Sequence, residues 1–163
     1  MIISRATVKS KSAFLKRTGK KIVFTNGCFD ILHQGHTTYL KGARALGDFL
    51  IVGLNSDESV TALKGKNRPI NNETSRLKNL LNLPFVDFVT VFSELTPKLL
   101  IDEIRPDILV KGGDYNADEI IGADRVKADG GKVITLPLVP GFSTTKILEN
   151  ASEKGLTDRD NTD

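Results

Sequence analysis

Short apolar runs alternate with amphipathic segments along most of this 163-residue chain. Five runs have the length and apolar content of strands: residues 21–25, 49–54, 85–92, 107–110 and 132–136. A continuous apolar stretch such as 49–54 is typical of a strand that is buried on both faces of a parallel sheet. Because the segments between these runs have helical patterns, we predict strands joined by right-handed helical crossovers. The pattern therefore indicates an α/β fold with five parallel strands, in the order 3-2-1-4-5.

Helices on both faces of such a sheet make a Rossmann-like three-layer α/β/α sandwich. We predict one domain over residues 1–150, in which a leading helix within residues 1–19 precedes an α/β core over 20–150. Residues 151–163 are polar and have no apolar period, so a disordered tail is expected there.

Local signals predict where helices begin and end. The start signals are Ser56, Asn72, Thr96 followed by Pro97, and Asn116 with Glu119 three residues later. The last pair resembles a capping box for a helix that continues to about residue 128. A turn is expected at Asn26-Gly27, a helix end at Gly47, and a final helix after residue 141.

The composition is that of an ordinary globular protein, with 39% hydrophobic and 26% charged residues and a net charge of +3. Lys and Arg form no stripe interleaved with aromatic residues, so we expect no nucleic-acid partner; a basic pocket for anionic small molecules fits the charge equally well. The single cysteine, Cys28, suits a reducing compartment. No signal-peptide core and no apolar run of about 20 residues is present, so we expect a cytoplasmic protein without a membrane partner.

Several polar loops follow strands and should therefore lie at one edge of the sheet. They cover residues 26–36, 55–57, 111–115 and 137–145. In parallel α/β sheets, ligands bind outside the carboxyl ends of the strands, where the strand order reverses. We predict that these loops converge on one crevice.

Both histidines of the chain, His33 and His36, stand where the first strand gives way to a helix, with Gly35 between them. A helix N-terminus offers N–H groups and the positive end of a dipole, which favour a phosphate. A zinc site is one alternative, because Cys28, His33 and His36 have C-x4-H-x2-H spacing, although no further Cys or His is present. A pair of histidines with a purely structural role is the other.

Motifs of other enzyme classes are absent from the sequence. It contains no G-x-S-x-G nucleophile elbow, no Walker G-x-x-x-x-G-K-[ST] sequence and no G-x-G-x-x-G fingerprint. These absences disfavour a serine hydrolase, a P-loop nucleotidase and a dinucleotide-dependent dehydrogenase.

The run G-C-F-D-I-L-H-Q-G-H, residues 27–36, resembles the H-x-G-H signature of the nucleotidylyltransferase superfamily, which includes cytidylyltransferases and pantetheine-phosphate adenylyltransferase. Together with L-N-S-D, K-G-x-x-R-P-I, V-K-G-G-D-Y and G-F-S-T-T, it resembles the D-glycero-β-D-manno-heptose 1-phosphate adenylyltransferase family over about residues 10–150. That family makes ADP-heptose for bacterial lipopolysaccharide. In many members the domain is fused to a sugar kinase, and this chain resembles the stand-alone form.

The resemblance implies that ATP and a heptose 1-phosphate are the substrates, and that ADP-heptose and pyrophosphate are the products. A phosphate monoester has a second pKa of about 6, so the nucleophile is already ionised at neutral pH and needs no general base. His33, His36 and Lys64 are then catalytic donors to phosphate oxygens. The nucleotide-binding positions implied are Asn26, Gly27, Cys28, Phe29, His33, Gly35, His36, Asn55, Asp57, Arg68, Lys111, Gly112, Asp114, Ser143, Thr144 and Thr145.

Simpler interpretations exist for several of these positions. Lys64 and Arg68 could be solvated charges in a flexible loop. Cys28 is a lone cysteine beside a buried strand, so an inert thiol is favoured over a reactive one. The hydroxyls of residues 143–145, and the side chains of Asn55 and Asp57, could simply cap helices.

ATP implies Mg²⁺, bound mainly through its phosphates, and no metal ligand of the protein is proposed. Related enzymes suggest a homodimer. Glycerol-3-phosphate cytidylyltransferase and FMN adenylyltransferase are the alternative enzyme assignments. A non-catalytic nucleotide-binding module is the alternative outside the enzyme class.

Overall fold

Five strands form one sheet in the computed structural model, which describes residues 1–113 and 116–137. The strands are β1 (Ile22–Gly27), β2 (Phe49–Asn55), β3 (Phe88–Phe92), β4 (Ile108–Gly112) and β5 (Lys132–Leu136). Their order is β3-β2-β1-β4-β5, and every neighbouring pair is parallel. The predicted fold class and strand order are therefore confirmed.

Helices connect the strands in the described residues. They are α1 (Arg5–Arg17), α2 (Gln34–Arg44), α3 (Asp57–Lys64), α4 (Glu73–Leu81), α5 (Lys98–Ile104) and α6 (Ala123–Ala128), with a 3-10 turn at Ala117–Glu119. Ser56 and Asn72 cap α3 and α4 as predicted, and each accepts a hydrogen bond from the backbone N–H three residues later, at 3.1 Å and 2.9 Å. None of the helices in this part of the chain is long and apolar enough to cross a bilayer.

Some predicted boundaries differ from the structure. β1 continues through Asn26 and Gly27, where the dipeptide predicts a turn, because both residues pair in register with β2. The single helix expected over 116–128 is instead a 3-10 turn and α6, separated at Gly122, whose φ of +90° interrupts the helical path. Pro97 stands at the N-cap of α5 rather than in its first turn.

Helices cover both faces of the sheet, which confirms the three-layer arrangement. Alternate β1 residues point to opposite faces, as the strand period of two requires. Phe24 packs in a cluster with side chains of α1 and α5, whereas Val23 packs in a second cluster with side chains of α2 and α4. Both residues are fully buried, so β1 lies at the centre of a core on each side.

Aspartates hold the amino ends of the strands in place. Asp107 Oδ2 accepts a hydrogen bond from Ile22 N, and Asp87 Oδ2 accepts one from Leu50 N, each at 2.8 Å. Asp87 also pairs with Arg44 Nε, at 2.8 Å. The amino edge of the sheet is thus stabilised by structural carboxylates, which leaves the opposite edge as the place for polar groups with other roles.

Gly53 of β2 is packed so closely that a side chain there is expected to destabilise the core. A Cβ at this position would lie 2.9 Å from the Phe24 ring and 3.0 Å from Leu100 Cδ2. We expect Gly53→Ala to lower the free energy of unfolding, measured by urea denaturation, by about 1–3 kcal/mol. Gly42→Ala in α2 is the control, since among the described residues its Cβ would meet only Leu136 Cδ1, at 3.4 Å, and alanine favours a helix. Equal losses in the two variants would contradict this expectation.

Candidate functional site

The carboxyl ends of the strands form one edge of the sheet. β1, β2 and β4 end there at Gly27, Asn55 and Gly112. β2 and β3 lie on one side of β1, whereas β4 and β5 lie on the other, so the strand order reverses between β1 and β4. This is where ligands bind in open parallel sheets. The described loops that follow β1, β2 and β4 therefore begin at one edge, as the sequence predicts.

Residues 28–33, here called the histidine turn, connect β1 to α2. Phe29 has a left-handed backbone conformation, with φ of +46°, which bends the chain sharply after the strand. His33 is the N-cap of α2, and its Nδ1 accepts a hydrogen bond from Gly35 N at 3.1 Å. The backbone N of His33 in turn donates to Nδ1 of His36 at 3.4 Å. This reciprocal capping places the two ring centroids 3.8 Å apart.

These hydrogen bonds determine which ring nitrogen carries the proton. An Nδ1 atom that accepts an N–H bond has no hydrogen of its own, so each neutral imidazole carries its proton on Nε2. His36 is only 1% exposed and lies edge-on to Phe29, with 5.4 Å between ring centroids. The histidine turn and the first turn of α2 therefore present two imidazole Nε2–H groups as donors, which suits hydrogen bonding to anionic oxygens.

Burial lowers the pKa of His33 below its ordinary value of 6.5, because the imidazolium loses solvation. As the pH falls through 6.5, the unfolded chain takes up this proton before the folded protein does. Acid therefore favours unfolding: the contribution of His33 to stability is complete above pH 6.5 and decreases below it.

The melting temperature should reveal this titration. Between about pH 7.5 and about pH 5.5, we expect Tm to fall more steeply for the wild type than for His33→Asn. Asparagine is a good N-cap residue without a titratable ring, so it retains the helix start. Parallel Tm profiles for the two proteins would contradict a lowered pKa of His33.

Tyr39 fixes α2 above the point where the strand order reverses. Its hydroxyl is in hydrogen-bond contact with Thr25 Oγ1 of β1 and donates to Val110 O of β4, at 3.2 Å. One side chain, only 5% exposed, therefore connects the helix to both central strands. This contact fixes α2, which begins at the histidines, against the two strands between which the strand order reverses.

Asp30 of the histidine turn binds the loop formed by residues 65–72. The residue is fully buried. Its Oδ2 accepts hydrogen bonds from Arg68 Nε at 2.9 Å and Ile70 N at 2.8 Å, and its Oδ1 accepts one from Asn71 N at 2.8 Å. Arg68, predicted from the sequence as a cation of a flexible loop, is in fact 6% exposed and forms a buried ion pair.

Arg76 of α4 joins four segments of the site. Its side chain is fully buried. The guanidinium donates to Cys28 O (2.8 Å), Asn55 O (2.7 Å), Asn71 O (3.0 Å) and Asp57 Oδ1 (2.8 Å). The histidine turn, the end of β2, the first turn of α3 and the 65–72 loop are thereby held together by one side chain.

The remaining predicted positions lie around this framework. Asn26 and Gly27 end β1, and Lys111 and Gly112 end β4. Lys64 is the last residue of α3, not a member of the loop in which the sequence pattern placed it. Asp114, Ser143, Thr144 and Thr145 lie outside the described residues, as do the predicted final helix and the tail over 151–163, and what was predicted for them stays a prediction.

Two important residues, Asp30 and Arg76, were missed by sequence reasoning. One signal for Arg76 was present: it lies four residues before Leu80, on the apolar face of α4, where a charge has to be paired. Asp30 gave a weaker signal, as the one charged residue between the β1 strand and the histidines. Neither position revealed its partners, because all of them except Asn71 O are distant in sequence.

Residues 1–113 and 116–137 contain no group of three or more His, Cys, Asp and Glu side chains that could hold a metal ion. Nδ1 of His33 and Nδ1 of His36 both accept backbone hydrogen bonds. Nothing in these residues supports the zinc alternative that includes Cys28.

Comparison with known proteins shows which family this chain resembles. A family model described as cytidylyltransferase-like matches residues 24–150. The chain is 58% identical over 137 residues to the bifunctional protein HldE of Pseudomonas paraeruginosa, which covers 84% of this chain and 29% of that protein. It is 51% identical over 151 residues to HldE of a Marinomonas species, covering 93% of this chain and 32% of the relative. The chain thus spans about three tenths of the length of these curated relatives.

A solved structure supports the same relationship. The lipopolysaccharide core biosynthesis protein from Thermoplasma volcanium superposes with a TM-score of 0.60 and is 32% identical in sequence. The match covers 74% of this chain and 98% of the other.

Proposed function

This chain belongs to the cytidylyltransferase-like family, and on that basis we propose that it is a nucleotidyltransferase that transfers AMP from ATP to D-glycero-β-D-manno-heptose 1-phosphate. The products would be ADP-heptose, for the lipopolysaccharide core, and pyrophosphate. The observation that carries the proposal is the pair of mutually capped histidines at the mouth of α2, whose Nε2–H groups are suited to phosphate oxygens.

The reaction requires positioning and charge stabilisation more than proton transfer. The sugar phosphate attacks the α-phosphorus of ATP, a P–O bond forms to it, and the bond to the departing pyrophosphate breaks. Because the attacking phosphate is already largely dianionic, the histidines need not act as bases. In this proposal, His33 and His36 donate to oxygens of the reacting phosphates, and Lys64 offsets negative charge that develops on them.

Heptose 1-phosphate is favoured among acceptor substrates by two observations. The chain combines H-Q-G-H with V-K-G-G-D-Y and G-F-S-T-T, as the heptose 1-phosphate adenylyltransferases do. A solved relative is a lipopolysaccharide core biosynthesis protein. The choice of ATP over CTP as the nucleotide substrate rests on the same motif resemblance.

Mg²⁺ is the metal we propose, held mainly by the phosphates of ATP. This fits a described site that lacks a cluster of carboxylates able to form a protein-only cage. When bound, the ion would neutralise charge on the phosphates and help the pyrophosphate depart. A cytoplasmic location and a homodimer are further proposals, for which related enzymes are the guide.

A pyrophosphate-release assay tests the proposed function. Purified protein with Mg²⁺ would be offered ATP or CTP, each with heptose 1-phosphate, other sugar 1-phosphates, glycerol 3-phosphate or FMN. We expect the highest kcat/KM with ATP and heptose 1-phosphate. Higher turnover with CTP would overturn the choice of nucleotide, and nucleotide binding without turnover of any pair would favour the non-catalytic alternative.

A further inference from the structure

A continuous series of contacts leads from Asp30 to the end of α3. Asp30 accepts from Arg68 Nε, as described above. The backbone N of Arg68 donates to Gly65 O at 3.1 Å, and Arg68 O accepts from Thr61 Oγ1 at 2.7 Å. Thr61 belongs to the last turn of α3, and Gly65 follows directly after Lys64. Arg68 is therefore fixed both to the histidine turn and to the segment that ends in Lys64.

Asp30 has more acceptor contacts than an ion pair alone requires. Its carboxylate binds two backbone N–H groups beyond Arg68, and its backbone O accepts from Asn71 Nδ2 at 2.5 Å. All these donors come from the 65–72 loop. The Asp30 carboxylate is fully buried, and both of its oxygens accept hydrogen bonds from the loop. It therefore holds the 65–72 loop in a narrowly defined position.

We propose that Asp30 is a positioning residue: through Arg68 it holds the C-terminal end of α3, and hence Lys64, at a fixed place relative to His33 and His36. This inference rests on the proposed function, in which Lys64 and the histidines act on the same phosphates. Asp30 is fully buried and its carboxylate binds only groups of the 65–72 loop among the described residues, so in this proposal it acts through them and not on a substrate. Its contribution to the rate is the alignment of a cation with two hydrogen-bond donors that come from a different crossover of the fold.

Asp30→Asn is the variant that removes this alignment with little change in volume. An amide has one acceptor oxygen, so its NH₂ group would face an N–H donor of the loop or of Arg68. Because small displacements of catalytic groups are costly, we expect kcat for pyrophosphate release to fall by about 10- to 100-fold. Tm is expected to decrease as well, and Tm alone therefore does not separate positioning from stability.

Asp87→Asn is the matched control. Asp87 also accepts from an arginine Nε and from a backbone N–H, those of Arg44 and Leu50, but it lies at the amino edge of the sheet. We expect this variant to lower Tm while leaving kcat and the KM for ATP unchanged. Equal kcat losses for Asp30→Asn and Asp87→Asn would overturn the inference.

A double-mutant cycle shows whether Asp30 acts through Lys64. Lys64→Ala should reduce kcat strongly in the wild type and in Asp87→Asn, but by less than about 3-fold in Asp30→Asn, because the lysine is already misplaced there. Full, additive losses in the Asp30→Asn background would overturn the inference. If Asp30→Asn does not fold, Thr61→Val, which removes the bond to Arg68 O, replaces it in the same cycle.

Limited trypsin digestion separates this inference from the proposed function. If the wild type turns over no substrate pair, the proposed function fails, but cleavage after Lys64 still reports whether Asp30 holds the segment. Faster cleavage there in Asp30→Asn than in Asp87→Asn supports the anchoring, and equal rates overturn it.

Discussion

Asparagine in place of His36 is expected to lower kcat by about 100- to 1,000-fold, the usual cost of losing one donor to developing charge, with little change in Tm. The side-chain oxygen of asparagine lies near the position of Nδ1, where it can still accept the N–H of His33. The variant therefore keeps the cap of α2 and loses the Nε2–H donor. Steady-state pyrophosphate release and differential scanning calorimetry measure the two effects.

His36→Gln is the complementary variant. Its amide nitrogen lies near the position of Nε2 and retains a donor, whereas the acceptor at Nδ1 is lost. Since the bond from His33 N is long, at 3.4 Å, we expect this loss to cost about 1 kcal/mol or less. The glutamine variant should be more active and slightly less stable than the asparagine variant. The reverse order of activities would mean that His36 contributes mainly through the helix cap.

Methionine in place of Arg76 is expected to lower the free energy of unfolding by about 3–5 kcal/mol, mainly because three carbonyl groups lose a donor, while the half-exposed Asp57 also loses its charged partner. This is a large share of the roughly 5–15 kcal/mol that stabilises a typical domain. Methionine fills much of the same volume, so lost hydrogen bonds rather than a cavity dominate. Urea denaturation of the purified variant, followed by circular dichroism, measures the change.

Arg44→Met is the control for Arg76→Met. Arg44 also makes an ion pair, to Asp87, and donates to a backbone carbonyl, that of Gly47 at 2.7 Å, but its side chain is 34% exposed. An exposed pair of this kind contributes about 1 kcal/mol or less. We therefore expect Arg76→Met to be clearly the less stable protein. Similar losses for both variants would show that burial of Arg76 adds nothing to its contribution.

Much of the fold could be predicted from local pattern. The apolar run at 49–54 is a central strand because it is buried on both faces, and Asn72 begins α4 because its side chain accepts the N–H of Ser75. Both signals are complete within a few neighbouring residues. Predictions were wrong where a distant partner decides the outcome, as at Asn26 and Gly27, which remain in β1 because β2 pairs with them.

The site was likewise predictable where its contacts are local in sequence. His33 and His36 were found because their cap and their helix are formed by adjacent residues. Asp30 and Arg76 were not, because the groups that they bind, apart from Asn71 O beside Arg76, lie 19 to 48 residues away along the chain. A charge next to a turn looks the same in sequence whether it is solvated or completely bonded.

The sequence by itself determined the order of strands and helices, the parallel sheet and the place of the histidines at the mouth of α2. These features follow from the hydrophobic period, the capping residues and the turn residues, and each of these signals acts between residues close together in sequence. Only the tertiary structure decided that Arg68 is buried against Asp30, that Lys64 ends a helix, and that Arg76 connects four segments. Buried charges depend on acceptors supplied by other parts of the fold, and chain folding alone brings those acceptors together.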